Sequence, residues 1–256
     1  MEIEKRRRYH LLDGIRGIVL LSMIAYHFSW NLVYLYGVKW AWYRSTGAYV
    51  WQQSICWTFI LLSGFCWSMG KLPLKRGLLV FGSGLLVTAV TLAVMPYNRV
   101  VFGVLTCIGS SMLLMIPLDK ILTKITAEFG MIGSFVLFVL TRNINQGCLG
   151  FERFQWISLP KSWYRNLLTA YFGMPSIDFY STDYFSLIPW VFLFITGYFL
   201  YRVCKKRQMF QWGILQKRIP FFDFLGKHSL LVYLLHQPIL YLLLEIYYGV
   251  VVNSNK

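Results

Sequence analysis

The sequence predicts an all-α, polytopic membrane helical bundle of about seven transmembrane helices, with the N-terminus cytoplasmic and the C-terminus outside. Three observations predict this. Of 256 residues, 57% are hydrophobic and 14% charged, and mean hydropathy is +0.54, a balance that an ordinary water-soluble domain does not sustain. The apolar residues fall in runs of membrane-crossing length. The basic residues concentrate in alternate connections between those runs. Residues 1–256 therefore form one integral membrane domain, with a long extracytoplasmic loop at about 142–183.

The first ten residues, "MEIEKRRRYH", resemble the basic start of a signal peptide. The apolar run that follows outlasts a signal core and lacks a small-residue cleavage site, so it reads as a retained first span. Spans are expected at roughly 11–36, 47–69, 76–95, 100–118, 128–141, 184–203 and 229–249. At about 1.5 Å per residue each can cross about 30 Å of hydrocarbon, the fifth only marginally.

Orientation follows from the loops. Lys5 to Arg8, Lys71, Lys75, Arg76, Lys120, Lys124 and the cluster from Arg202 to Lys227 place sixteen cations on one side, against eight on the other (Lys39, Arg44, Arg99, Arg142, Arg153, Lys161, Arg165, Lys256). The positive-inside rule puts the richer side in the cytoplasm, and an odd number of spans keeps the alternation consistent. Because the net charge of +15 is spread over these loops and builds no stripe with stacking aromatics, no nucleic-acid partner is expected. Five cysteines without a CxxC pair suggest neither a disulfide framework nor a metal site. The glycines at Gly82 and Gly84 read as helix packing. The outer loop carries Phe151, Phe154, Trp156, Trp163 and Tyr164, which suits a segment lying along the interface as a lid or acceptor-facing cap, with a short helix over 162–172.

Ionisable groups inside spans are costly and mark a site or a buried partner. On the first span Arg16 and His27 are eleven residues apart, three helical turns plus about 20°, so they share a face with Leu20, Met23 and Asn31. Asp13, three residues before Arg16, can pair with it. Arg16 falls near the cytoplasmic edge and His27 about 16 Å deeper. The last span repeats the theme in "GKHSLLVYLLHQPIL": His228 and Ser229 at its start, Ser229 as a helix cap, then His236, Gln237 and Pro238, which frees the Leu234 carbonyl. Taken singly, Arg16 is a snorkelling anchor, His27 a packing residue, His228 a membrane-edge residue, His236 evenly balanced between packing and function, and Ser63 with Gly64 a helix contact. Their coincidence favours a reaction site.

These residues resemble a family. "LDGIRGIVLLSMIAYHF" looks like the D-x-x-R-G…H first span of membrane acyltransferases, both the acyltransferase family 3 group and the catalytic domain of heparan-alpha-glucosaminide N-acetyltransferase. "FILLSGFCWS", "FGVLTCIGSSMLL", "YSTDYFSLIPWVFLFITGY" and "FLGKHSLLVYLLHQPIL" are similar, in order, to small bacterial relatives of the latter, over about residues 8–245. The resemblance implies a plasma-membrane enzyme that moves an acetyl group from cytoplasmic acetyl-CoA to an acceptor, commonly a sugar, on the far side. It matches Arg16 and His27 to the first-span pair, Asp183 to an outer-edge aspartate, and His228 and His236 to final-span histidines; Tyr184 and Trp190 fall in the D-Y-F…P-W segment. Relatives often carry an aspartate where this chain has Asn31 and a histidine where it has Thr106.

Acyl transfer needs a base, charge stabilisation at the thioester oxygen and exclusion of water. His27 is expected as the base, with Asp183 orienting it or holding the sugar and His236 along the path; a transient acetyl-histidine is the variant. Arg16 would bind the phosphates of CoA. Asp13, Asn31, Ser63, Tyr184, Trp190, His228, Ser229 and Gln237 complete the expected donor and acceptor surfaces. The expected partners are the bilayer, acetyl-CoA as co-substrate and a glycan or lipid-linked acceptor, with no metal and with room for a homo-oligomer. The rival readings are a transporter or flippase using the Arg/His/Asp path, and a non-catalytic accessory subunit.

Overall fold

A computed structural model describes residues 9–249. The long helices are α1 (His10–Tyr34), α2 (Thr46–Trp67), α3 (Pro73–Val94), α4 (Val104–Leu122), α5 (Ala127–Thr141), α7 (Leu187–Lys206) and α9 (Ser229–Tyr247), with two shorter ones, α6 (Leu167–Phe172) and α8 (Pro220–Lys227). Each expected span emerges as a helix within about one turn of its expected ends. Six stretches are long and apolar enough to cross a membrane: α1, α3, α4, α5 with its following turn to Gln146, α7 and α9. The chain is thus an integral, multi-pass membrane bundle. The difference from seven lies at α2, which has the length but carries Gln52 and Gln53, and these polar amides lower its hydropathy. The second amide is partly satisfied within its own helix, since Trp57 Nε1 donates to Gln53 Oε1 at 3.2 Å. Lys5 to Arg8 and Lys256, used for orientation, lie outside the described residues.

Lipid-like exposure runs along the helices. Leu78, Leu79, Leu85 and Leu86 of α3 and Phe129, Ile132 and Val136 of α5 are all exposed. In water such faces would drive association, whereas hydrocarbon solvates them at no cost. Burial against lipid therefore contributes little, and close helix contact must do the work.

The chain divides into two compact units, residues 1–59 with 210–256, and residues 60–209. The first holds α1, the start of α2, α8 and α9. Here α1 and α8 touch backbone to backbone: a Cβ on Gly17 would lie 2.1 Å from the Phe222 carbonyl oxygen, and one on Gly226 would lie 1.9 Å from that of Asp13. Above this contact Leu20, Met23 and Ile55 form a core flanked by Trp51, Val232 and Tyr233. Trp51 Nε1 donates to Ser22 Oγ at 2.8 Å, so the indole is satisfied without water.

In the second unit α7 is the most enclosed helix, with Phe194 and Phe199 almost fully buried. Gly64 and Gly197 seat it against the end of α2, since added Cβ atoms would lie 1.9 Å from the Phe194 oxygen and 2.0 Å from that of Leu61. Between α5 and α7 the hydroxyls of Ser134 and Thr196 meet at 3.0 Å, a polar clasp of the kind that holds helices in lipid. The outer segment, expected as a loop, contains an antiparallel hairpin, β1 (Cys148–Phe151) with β2 (Phe154–Ser158), bulged at Leu149/Gly150. Asn143, 1% exposed, holds its turn by donating to the carbonyls of Glu152 and Phe154. The helix expected over 162–172 starts later, at Leu167, because Asn166 and Thr169 build a capping box there.

The glycine contacts generate a test. Gly197→Ala should lower the thermal unfolding midpoint, at a cost of about 1–3 kcal/mol, because a methyl would be forced into a carbonyl. Gly133→Ala, in α5 with nothing within 4 Å of its Cβ position, should be neutral or slightly stabilising. Equal responses by scanning fluorimetry would contradict this packing.

Candidate active site

α1 and α9 bring the two intramembrane histidines together. The rings of His27 and His236 lie 4.9 Å apart between centroids and are tilted by 53°. His27 is half-buried, while His236 is only 7% exposed. Gln237, next to His236, donates from Nε2 to His27 Nδ1 at 3.1 Å, since an amide nitrogen cannot accept. Asn31, one turn beyond His27 and 1% exposed, donates from Nδ2 to Gln237 Oε1 at 3.1 Å. His236 donates from Nδ1 to the Tyr233 carbonyl, because that oxygen can only accept. Its Nε2 is buried and has no hydrogen-bond partner. The cluster thus holds one unengaged lone pair beside a second imidazole, in a setting of Tyr26, Trp51 and Tyr233.

Closer to the start of α1, the expected Asp13–Arg16 pair forms, Nη1 to Oδ1 at 3.3 Å. Beside it His10 Nδ1 meets Asp223 Oδ2 of α8 at 3.1 Å. The Asp223 carboxylate approaches α1 where Gly14 has no side chain: a Cβ there would lie 3.4 Å from Oδ1. His228 closes α8, with Nδ1 donating to the Phe224 carbonyl at 3.0 Å, and so forms the joint between α8 and α9. Ser229 is the first residue of α9 rather than its cap; the capping position belongs to His228, which makes no side-chain cap bond.

In the second unit Asp183 sits at the start of α4. The Val104 N–H donates to its carboxylate, and a Cβ on Gly103 would lie 3.3 Å from Oδ2. Desolvation pushes the Asp183 carboxyl up to about 6, while the Val104 hydrogen bond pulls it down. Within its unit the carboxylate thus faces the N-terminus of α4, an end of a helix that favours negative charge. Tyr184 donates to the Ala170 carbonyl and packs on Phe179. Trp190, 4% exposed, is occupied by Phe138, Phe185 and the Arg142 guanidinium 5.0 Å above its ring. Both side chains are held by these contacts, and Ser63 lies half-buried beside the Gly64 contact. Thr106 is crossed by α3, where a Cβ on Gly84 would come within 2.5 Å of Thr106 N and Oγ1. A cavity of about 600 Å³, lined by Arg99, Asn166, Leu167, Asp178 and Tyr180 among others, opens within this unit.

Sequence reasoning missed His10 and Asp223, which are 213 residues apart, beyond the reach of any helical spacing. The Tyr233 carbonyl was legible in principle, three residues before His236 on one helix.

The Asp183 carboxyl gives a stability test. Its pKa in the fold is raised, so its favourable contribution is present below about pH 4 and is lost as pH rises through about 6. Asp183→Asn, which keeps an acceptor for Val104, should leave the unfolding midpoint unchanged near pH 4. At about pH 8 it should raise stability by up to about 3 kcal/mol. A midpoint that falls at the higher pH would refute the desolvated carboxylate.

No curated protein and no solved structure matches the chain. A family model does match, over residues 8–238, and its description is "Heparan-alpha-glucosaminide N-acetyltransferase, catalytic". The match takes in the whole α1 face from Asp13 to Asn31 and the α9 segment through Pro238. By that match the chain belongs to the family of heparan-alpha-glucosaminide N-acetyltransferase catalytic domains, and is in general terms a membrane acetyltransferase.

Proposed function

We propose that the chain transfers an acetyl group from cytoplasmic acetyl-CoA to a glycan or lipid-linked acceptor on the outer side of a bacterial plasma membrane, and that His27 and His236 form its reaction centre. The observation that carries this reading is the pair itself: two imidazoles 4.9 Å apart within membrane-spanning helices, one with a buried and unengaged Nε2. Burying such a pair costs free energy that packing alone does not require. Acyl transfer to a hydroxyl or amine uses what the pair supplies, a lone pair to take the acceptor's proton and an N–H to meet the developing oxyanion.

Arg16 is the cation on the same face of α1, set nearer the cytoplasmic end and paired with Asp13. In this reading it receives the phosphates of CoA through charge-assisted hydrogen bonds, and Asp13 holds it when donor is absent. The pantetheine thiol ester then reaches along α1 toward His27, a span of about 16 Å. The positive-inside count supports donor access from the cytoplasm. Asp183 is kept in this reading as the outer-edge carboxylate that holds the acceptor, itself fixed by the Val104 N–H.

The test is direct. Purified protein in vesicles, given labelled acetyl-CoA and membrane glycans, should yield an acetylated product identifiable by mass. His27→Ala should reduce transfer by about 10²-fold or more while the protein remains folded. Undiminished transfer in that variant would reject the assignment, and proton-coupled flux without CoA would replace the enzyme by a transporter.

A further inference from the structure

The two histidines are held by opposite hydrogen bonds, and this difference sets what each can do. A carbonyl oxygen only accepts, so the bond from His236 to Tyr233 fixes the proton of His236 on Nδ1 and leaves Nε2 as a lone pair. That Nε2 is buried and unpartnered. An amide nitrogen only donates, so the bond from Gln237 occupies the Nδ1 lone pair of His27 and puts its proton on Nε2. The amide of Gln237 is itself oriented, because Asn31 donates to its oxygen. Asn31, 1% exposed, is locked in α1 one turn from the histidine it controls. A protonated Nδ1 on His27 would face the amide N–H head on, so the same chain also keeps His27 neutral.

We propose that Asn31 and Gln237 form an amide chain that positions the two histidines in opposite tautomers, making His236 the base on the acceptor and His27 the hydrogen-bond donor to the thioester oxygen. This rests on the acetyltransferase reading and reassigns its parts: the base moves from the first span to the last, and Gln237 and Asn31 become positioning residues instead of substrate ligands. The step balances. His236 Nε2 takes the proton of the acceptor hydroxyl or amine as the acceptor's heteroatom bonds to the thioester carbonyl carbon. The carbonyl electrons move onto oxygen, which accepts from His27 Nε2–H. Collapse of the tetrahedral species re-forms the carbonyl and breaks the carbon–sulfur bond. The departing thiolate takes the proton from His236, which returns to its starting state. His27 loses no proton in the cycle, as its blocked Nδ1 requires.

The tautomers can be read on the substrate-free protein, so they stand or fall separately from acetyl transfer. In lipid nanodiscs with 15N-labelled histidine, and with His27→Ala and His236→Ala assigning the signals, His27 should show the Nε2–H form and His236 the Nδ1–H form. The same tautomer at both would overturn the proposal. In Asn31→Asp the new carboxylate can only accept, so the Gln237 amide must turn over and present its oxygen to His27. The His27 signals should then switch to the Nδ1–H form while those of His236 stay in place, which also reports an intact fold. Gln237→Leu should release His27 into a mixture of forms and lower kcat by about 10-fold, short of the 10²–10³-fold loss of a whole oxyanion donor, with the KM for acetyl-CoA unchanged. A raised KM with unchanged kcat, or a His27 tautomer indifferent to both substitutions, would show that the amides bind substrate or merely pack.

Discussion

A polar group buried in hydrocarbon has no water to turn to, and the Asn31–Gln237–His27 chain is how this protein meets that constraint. Two hydrogen bonds, Asn31 to Gln237 and Gln237 to His27, link three costly side chains to one another and so offset part of the penalty of burying them. The chain also couples α1 to α9 at a defined register, since a slip of one residue on either helix would part all three partners. What it leaves over is the Nε2 of His236, the one ring nitrogen of the pair that is buried with nothing to bond. A leftover of that kind is tolerated where it is used.

The same constraint explains the packing. With lipid solvating the outer leucines, helices gain stability by approaching closely and by sharing polar contacts. Gly17 and Gly226 let α1 and α8 meet at their backbones, and that contact places Asp223 against His10 and Gly14. The first-span "DGIRG" therefore does two things at once: its glycines make room for α8, and its charged residues pair with each other. In the second unit Gly64 and Gly197 play the corresponding part for α7, and Ser134 with Thr196 supplies the polar clasp.

Two positions that the resemblance singled out have surroundings that local sequence does not reveal. Asp183 faces the α4 N-terminus, where a desolvated carboxylate finds a backbone donor. Thr106 stands where α3 crosses α4 at Gly84. Trp190 packs under the Arg142 guanidinium, and Tyr184 donates to the Ala170 carbonyl of α6.

The sequence by itself determined the membrane class, the positions of the long helices and the shared face of Arg16, His27 and Asn31. Hydropathy and a 3.6-residue period are local properties, readable wherever a helix forms. It also placed His236 and Gln237 on the last span, and it allowed the Asp13–Arg16 pair, three residues apart. It overlooked the hairpin in the outer segment, because alternation over four or five residues is too short a signal. Only the tertiary structure decided that Gln237 meets His27 and Asn31, that His236 stands beside His27, and that His10 pairs with Asp223. Those pairings join the two ends of the chain, more than 200 residues apart. They depend on which helix faces which, a property of the whole fold; at α1 and α8 it is Gly17 and Gly226 that allow the approach.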